Sequence, residues 1–190
     1  MTTKTRTTKE TDITISLNLY GDGKSKIDTG VGFLDHMLES FAKHALIDLD
    51  VTCKGDIHID DHHSVEDVAI VLGSLLAENI YPVKKLERFG NASVVMDEAC
   101  VSCDIDLSNR PFLVYELDIT GKVGNFDTEL VEEFFRALIF NARISAHIIQ
   151  QRGKNKHHII EASFKALAVA LRRAVIINER VGIPSTKDVL

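Results

Sequence analysis

The strongest constraint on this chain is a motif that it carries twice. Residues 60–67 read Asp-Asp-His-His-Ser-Val-Glu-Asp, and residues 155–162 read Asn-Lys-His-His-Ile-Ile-Glu-Ala. Both contain His-His-x-x-Glu, with His62, His63 and Glu66 in the first copy and His157, His158 and Glu161 in the second. Each copy opens an apolar run with helical spacing. A helix advances about 100° per residue, which sets Glu66 about 40° round from His62, between the two imidazoles. Glu161 takes the same place between His157 and His158. Nitrogens and a carboxylate without a thiolate suit Mn, Fe, Co, Ni or Zn, and geometry must choose among them. One such triplet arises often by chance; two at matched positions imply a duplicated unit with duplicated chemistry.

The rest of the pattern agrees with duplication. Thr11 to Leu19 alternates polar and apolar residues, the period of a half-buried strand. Tyr20 to Gly23 is a turn, and Lys24 to Asp28 reads as the returning strand. Val31 to Ala45 has helical spacing through Phe33, Leu34, Met37, Leu38 and Phe41, and Leu46 to Thr52 alternates again. The first motif helix runs to about Ile80, and Pro82 ends it. In the second half, Glu98 to Leu107 aligns with Glu10 to Leu19 at an offset of 88, and Phe112 to Ile119 returns. Thr128 to Asn141 then reads as a helix, Arg143 to Gln150 as a strand, and the second motif helix runs to about Ile177. The expected fold is α+β: a tandem strand-strand-helix-strand-helix unit, with mixed sheets and helices on one face of each. Residues 1–90 form the first repeat and 91–190 the second, together one domain with a C-terminal tail.

Composition narrows the function class. With 190 residues the chain can bury a sizeable core, and 45% hydrophobic with 26% charged residues is ordinary for a globular protein. A net charge of −6 argues against nucleic acid or an anionic membrane as partner. No apolar run approaches the length of about 20 residues that spans a bilayer. The polar stretch Met1 to Glu10 lacks the apolar core of a signal peptide, so a cytoplasmic location is expected. Cys100 and Cys103 have C-x-x-C spacing, but an odd offset along a strand puts their thiols on opposite faces. With Cys53 they read as three reduced structural thiols.

Three further histidines stand out. His36 lies among apolar residues of the first helix, where an imidazole costs free energy unless a partner satisfies it. His44 follows eight residues later, about 80° round the same helix. His147 sits in the strand before the second motif. Taken singly, each fits a hydrogen-bonded core or edge histidine as well as a ligand.

Gly32 to Leu38 (Gly-Phe-Leu-Asp-His-Met-Leu), both His-His-x-x-Glu motifs, Phe126 to Phe135 and the tail Pro184-Ser185-Thr186-Lys187 together resemble the imidazoleglycerol-phosphate dehydratase family. The resemblance spans Glu10 to Lys187, in the form without an appended phosphatase domain. Asn109, where the turn usually has Gly, and Asp188, where Gly usually follows the tail Lys, are small departures. The resemblance implies a duplicated unit of the ribosomal protein S5 domain 2 type, a 24-subunit shell with active sites between subunits, and two Mn²⁺ per site. Carried over by motif, the metal ligands are His36, His62, His63, Glu66, His147, His157, His158 and Glu161. Four protein ligands per ion leave an octahedral ion about two positions for substrate or water, which suits Mn²⁺ better than a closed zinc site.

The implied substrate is imidazoleglycerol phosphate, which loses water to give imidazole acetol phosphate in histidine biosynthesis. The proton lost from carbon is not adjacent to a carbonyl, so a ring held as imidazolate between two metals must take the electrons. A diazafulvene-like species then tautomerises to the ketone. Glu10 is the candidate acid-base group by resemblance, alongside the catalytic imidazoles and carboxylates of the two motifs. Arg88, Arg110, Ser185 and Lys187 are assigned to phosphate or substrate, Lys165 joins them four residues beyond Glu161, and His36 and His44 complete the substrate-contacting set. Read without the family, these cations are solvated surface charges, and Glu10 is a polar residue before a strand. A dinuclear hydrolase and a metal-storage assembly are the competing readings; separately placed Arg and Lys residues favour a phosphorylated small molecule. The divergence of the two imidazoles in each motif leads to a further expectation: each motif serves both metals, and its twin on another subunit completes the site.

Overall fold

The computed structural model describes residues 1–187; Asp188 and the rest of the second repeat's end lie outside them. The first half runs β1 (Thr2–Thr7), β2 (Thr11–Asn18), β3 (Ser25–Asp28), α1 (Gly32–Ala45), β4 (Asp48–Gly55) and α2 (His62–Ile80). The second runs β5 (Phe89–Met96), β6 (Ala99–Asp106), β7 (Phe112–Glu116), a short hairpin β8 (Lys122–Val123) and β9 (Phe126–Asp127), then α3 (Glu129–Ala142), β10 (Ser145–Arg152) and α4 (Lys156–Ala174). The sheets share one topology, β1-β2-β4-β3 and β5-β6-β10-β7. In each, three strands are antiparallel and the last is parallel to its neighbour.

Three features differ from the sequence expectation. Each half has an additional first strand, β1 or β5. β1 is an edge strand with little burial, so its threonines show no alternation to read. The strands read as simple returns, β3 and β7, do not form hairpins with β2 and β6. They cross to the far edge and pair parallel with β4 and β10. α4 also stops at Ala174, and Ile177 bridges back to Leu86 instead of extending the helix.

The helices lie between the sheets. α1 packs on α4 and α2 on α3, while α2 also meets β1 and β2 and α4 meets β5 and β6. This central position explains why α2 and α4 are apolar over most of their surface, unlike a one-sided surface helix. Gly73 permits the approach of α2 to α3, because a Cβ there would strike the Leu138 carbonyl; Gly90 does the same for β5 against Ala170 of α4. Phe164 of α4 stacks on Phe134 and Phe135 of α3, at 5.0 and 4.7 Å between ring centroids. α1 and α3 end alike, in Leu46 and Arg143 with φ of 56°, a left-handed cap at matched positions. Cys100 and Cys103 face opposite sides of β6, and all three cysteines are free. No helix among the described residues is long and apolar enough to cross a membrane.

Candidate active site

The second motif opens α4, where the Asn155 side chain caps the helix by accepting from the backbone N–H of His157 and His158. Glu161 is buried at 7% exposure and divides its oxygens. Oε2 lies 3.1 Å from His157 Nε2 and 3.4 Å from His36 Nε2, while Oε1 accepts from Lys165 Nζ at 2.7 Å. Burial alone raises the Glu161 carboxyl, but Lys165 and the two imidazoles outweigh it and hold the group below its ordinary value. His36, His157 and Glu161 offer ligand atoms all within 4.8 Å of one another, the one such group among the described residues. His44 lies further along α1, and burial, then Lys165 and Arg172, lower its pKa.

His158 turns away from this group. Its ring stands 84° to that of His157, and Nδ1–H donates to Glu98 Oε2 at 2.7 Å. The same hydrogen bond, helped by the backbone N–H of Asn155 and Lys154, pulls Glu98 down to about 2 and raises His158. The first motif repeats the divergence. His62 and His63 stand at 89°, His62 Nε2 approaches Glu66 Oε2 at 3.7 Å, and His63 Nδ1–H donates to Asp56 at 3.1 Å. Each motif glutamate therefore faces the histidine one turn away on its own row, and the second histidine, about 100° round, meets a carboxylate from a neighbouring loop. With Nδ1–H directed at a carboxylate, the neutral form of each second histidine carries its lone pair on Nε2. His63 Nε2 faces Glu10, 3.8 Å away.

The cations separated in sequence converge. Arg88, Arg110, Ser185 and Lys187 line one cleft of about 670 Å³, with Ser108, Asn109, Ile183, Pro184 and Thr186. Asn109 holds φ of 57° at the turn, a left-handed conformation that Asn tolerates where Gly is usual. Arg88 is already engaged: Nε and Nη2 donate to Asp106 at 2.7 and 3.0 Å, and Nη1 donates to the Pro184 carbonyl at 2.6 Å. It straps the tail in place. The Arg110 guanidinium has no partner among the described residues.

The cleft lined by Arg88, Arg110 and Lys187 and the imidazole–carboxylate clusters fit the family that the motifs suggest. The family model for imidazoleglycerol-phosphate dehydratase matches residues 29–171. The enzyme of that name from Sulfurimonas denitrificans is 75% identical over all 190 residues, and that from Wolinella succinogenes 67% over 186, each covering at least 98% of both chains. The chain belongs to the imidazoleglycerol-phosphate dehydratase family. The dehydratase crystal structure from Staphylococcus aureus matches with a TM-score of 0.83 at 42% identity, covering 94% of this chain and all of that one. The structure from Pyrococcus furiosus matches at 0.86 and 42%, covering 98% and 100%. The reaction is that of a hydro-lyase, the elimination of water from D-erythro-imidazoleglycerol phosphate to imidazole acetol phosphate in histidine biosynthesis.

Within this dehydratase chain, the described residues do not gather every expected ligand. His147 is exposed on β10, opposite Asp104 of β6, and is not part of the His36–His157–Glu161 group. The β8–β9 hairpin stands beside His36 and also beside His62: Asn125 lines the hollow next to each. Asp56, Glu98, Asp106 and this hairpin were not foreseen from sequence. The offset of 88 that pairs Glu10 with Glu98 was the available signal for one of them.

Proposed function

We propose that the elimination takes place at a dinuclear Mn²⁺ site built from two subunits, held by His36, His62, His63, Glu66, His147, His157, His158 and Glu161. The observation that carries the shared site is a separation within one chain. Glu98, which holds His158, lies just before β6, and Ser108 to Arg110 lie after it. The eight residues of β6 set these groups about 26 Å apart. The substrate joins its ring to its phosphate by three carbons, far too short to reach from one to the other. A second subunit must supply one of them, which supports a closed assembly such as the 24-subunit shell of the family. Within that assembly residues 1–90 and 91–190 act as two copies of one ligand-bearing unit, in a cytoplasmic enzyme.

The donor set fits the ions. His36, His157 and Glu161 already stand within coordinating range of one another, and Nε2 of His63 and His158 makes no hydrogen bond among the described residues, with Glu10 and Asp97 the carboxylates opposite them. When bound, the ions supply Lewis-acid charge that lets the substrate ring hold electrons as the hydroxyl departs. The chain's own groups do the rest. Asp56 and Glu98 orient their imidazoles, Lys165 keeps Glu161 ionised, and Arg110, Lys187 and Ser185 take the phosphate while Arg88 holds the tail. His44, beside Lys165, completes the substrate wall. Glu10, exposed and with its carboxylate in no hydrogen bond among the described residues, moves the proton at the substrate side chain.

Assay of Mn²⁺-loaded protein with imidazoleglycerol phosphate tests the metal, and mixed assemblies test the sharing. Subunits with Arg110→Ala, which weakens phosphate binding, and subunits with His158→Ala, which removes a ligand, are expected to regain part of the lost ketone-forming activity when dissociated and reassembled together. Absence of recovery in verified mixed assemblies would place the whole site within one chain.

A further inference from the structure

Glu10 and Glu98 occupy matched positions in the two halves, yet the chain holds them by different means. The Glu98 side chain is fixed by three donors: Lys154 N at 3.1 Å, Asn155 N at 2.8 Å and His158 Nδ1 at 2.7 Å. The Glu10 side chain makes no hydrogen bond among the described residues, and His63 Nε2 stands 3.8 Å from its Oε1. Its position depends on its backbone. Glu10 N donates to Thr8 Oγ1 at 3.1 Å, and its carbonyl accepts from Asp56 N at 3.1 Å. Thr8 closes the turn, donating its N–H to the Thr11 carbonyl at 2.8 Å and accepting from Thr11 N at 3.0 Å.

That turn is tied to α2 by one acid. Asp67 is buried at 7% exposure; Thr11 Oγ1 donates to its Oδ2 at 2.5 Å and Arg6 Nε to its Oδ1 at 3.1 Å. Arg6 on β1 and Thr11 on β2 flank the turn, so Asp67 grips both of its ends. At the offset that superposes the two histidine motifs, the counterpart of Asp67 is Ala162. The buried carboxylate occurs in the half whose glutamate is free and is missing from the half whose glutamate is locked.

We propose that Asp67 is a positioning residue for Glu10, which through Thr11 and Arg6 fixes the Thr8–Thr11 turn on α2 and thereby fixes the Glu10 carboxylate relative to His63. The proposal rests on the reading of Glu10 as the acid-base group. An error of about 1 Å in a reacting group costs about a hundredfold in rate, which sets the scale of the effect. Thr11→Val removes the hydroxyl without changing the burial of Asp67, and Asp67→Asn keeps its shape. Both are expected to lower kcat roughly a hundredfold with KM and metal per subunit unchanged, and Thr11→Ser is expected to restore most of the rate. A clasp with only a structural role predicts a lower Tm at full kcat per assembled site, and that result overturns the proposal; so does a loss of metal or a rise in KM in place of the fall in kcat. If Asp67→Asn does not fold, the Thr11 pair decides alone. Glu10→Gln measured in parallel separates the two claims. Near-normal turnover there removes Glu10 itself, whereas an inactive Glu10→Gln beside a full-rate Thr11→Val removes only the part given to Asp67.

Discussion

His63 and Glu10 face each other across 3.8 Å, while their counterparts His158 and Glu98 are hydrogen-bonded at 2.7 Å. The difference arises because Asp56 has taken the Nδ1 proton of His63, the task that Glu98 performs for His158. The two glutamates hold matched positions, and with Asp56 on His63 the Glu10 carboxylate is left without a side-chain hydrogen bond among the described residues.

The two glutamates are therefore expected to fail in different ways. Glu10→Gln abolishes turnover with metal retained, since it removes a proton carrier and no orienting bond. Glu98→Gln weakens metal binding by roughly ten- to a hundredfold, since it loosens the imidazole that ligates. Metal content by mass spectrometry beside kcat distinguishes them. Equal metal loss in both variants would make Glu10 another orienting carboxylate.

The cleft proposed for phosphate holds its two arginines differently. Among the described residues Arg110 is unpartnered, and Arg88 is held by Asp106 and Pro184. Arg110→Ala is expected to remove a charge-assisted contact of about 2 kcal/mol, roughly a thirtyfold rise in KM. Asp106→Asn is expected to raise KM as well, because the tail bearing Ser185 and Lys187 loses its strap. A lower KM in that variant would show instead that Arg88 had been freed to bind phosphate directly.

Much of this was legible in the sequence, for physical reasons that also mark where reading stops. Helices α1 to α4 and the strands β2, β4, β6 and β10 bury one face or more, so their periods are visible. Alternation gives the face of a strand and not its neighbour, which is why β3 and β7 were placed as returns when they pair parallel at the far edge. The ligand motifs were visible because metal chemistry needs particular residue types at helical spacing. Asp56, Glu98 and Asp67 act through other residues, and a carboxylate that orients a histidine seven or sixty positions away has no spacing of its own to read.

Asp48 offers a test of stability against pH. Its Oδ1 accepts from the backbone N–H of Asp22 at 2.9 Å and Lys24 at 3.1 Å, closing the turn between β2 and β3. The N–H of Asp22, then that of Lys24, draws the carboxyl below the ordinary aspartate value. A pKa lowered on folding stabilises the fold above the unfolded value, and the gain is lost as pH falls through the folded one. The urea midpoint of Asp48→Asn is thus expected to lie below that of the parent at neutral pH, and the gap is expected to close on acidification past the aspartate range. A gap that persists unchanged in acid would assign the effect to shape and not to charge.

Lys165 can be a substrate ligand, as its place beside Glu161 suggested, or the cation that makes a buried carboxylate tolerable. Its Nζ lies 2.7 Å from Glu161 Oε1, and Glu161 has little access to water, so the pair is interdependent before any ligand arrives. Removing one partner of a buried pair costs about 3–5 kcal/mol, and neutralising the orphan recovers much of it. In the metal-free protein, Lys165→Met is expected to lower stability by an amount toward the small end of that range, because Lys165 itself retains some contact with solvent. Adding Glu161→Gln to Lys165→Met is expected to restore part of the loss, a positive coupling in a double-mutant cycle followed by urea unfolding. A Lys165 that served the substrate alone would leave the metal-free midpoint unchanged and show additive effects, with its whole cost in KM.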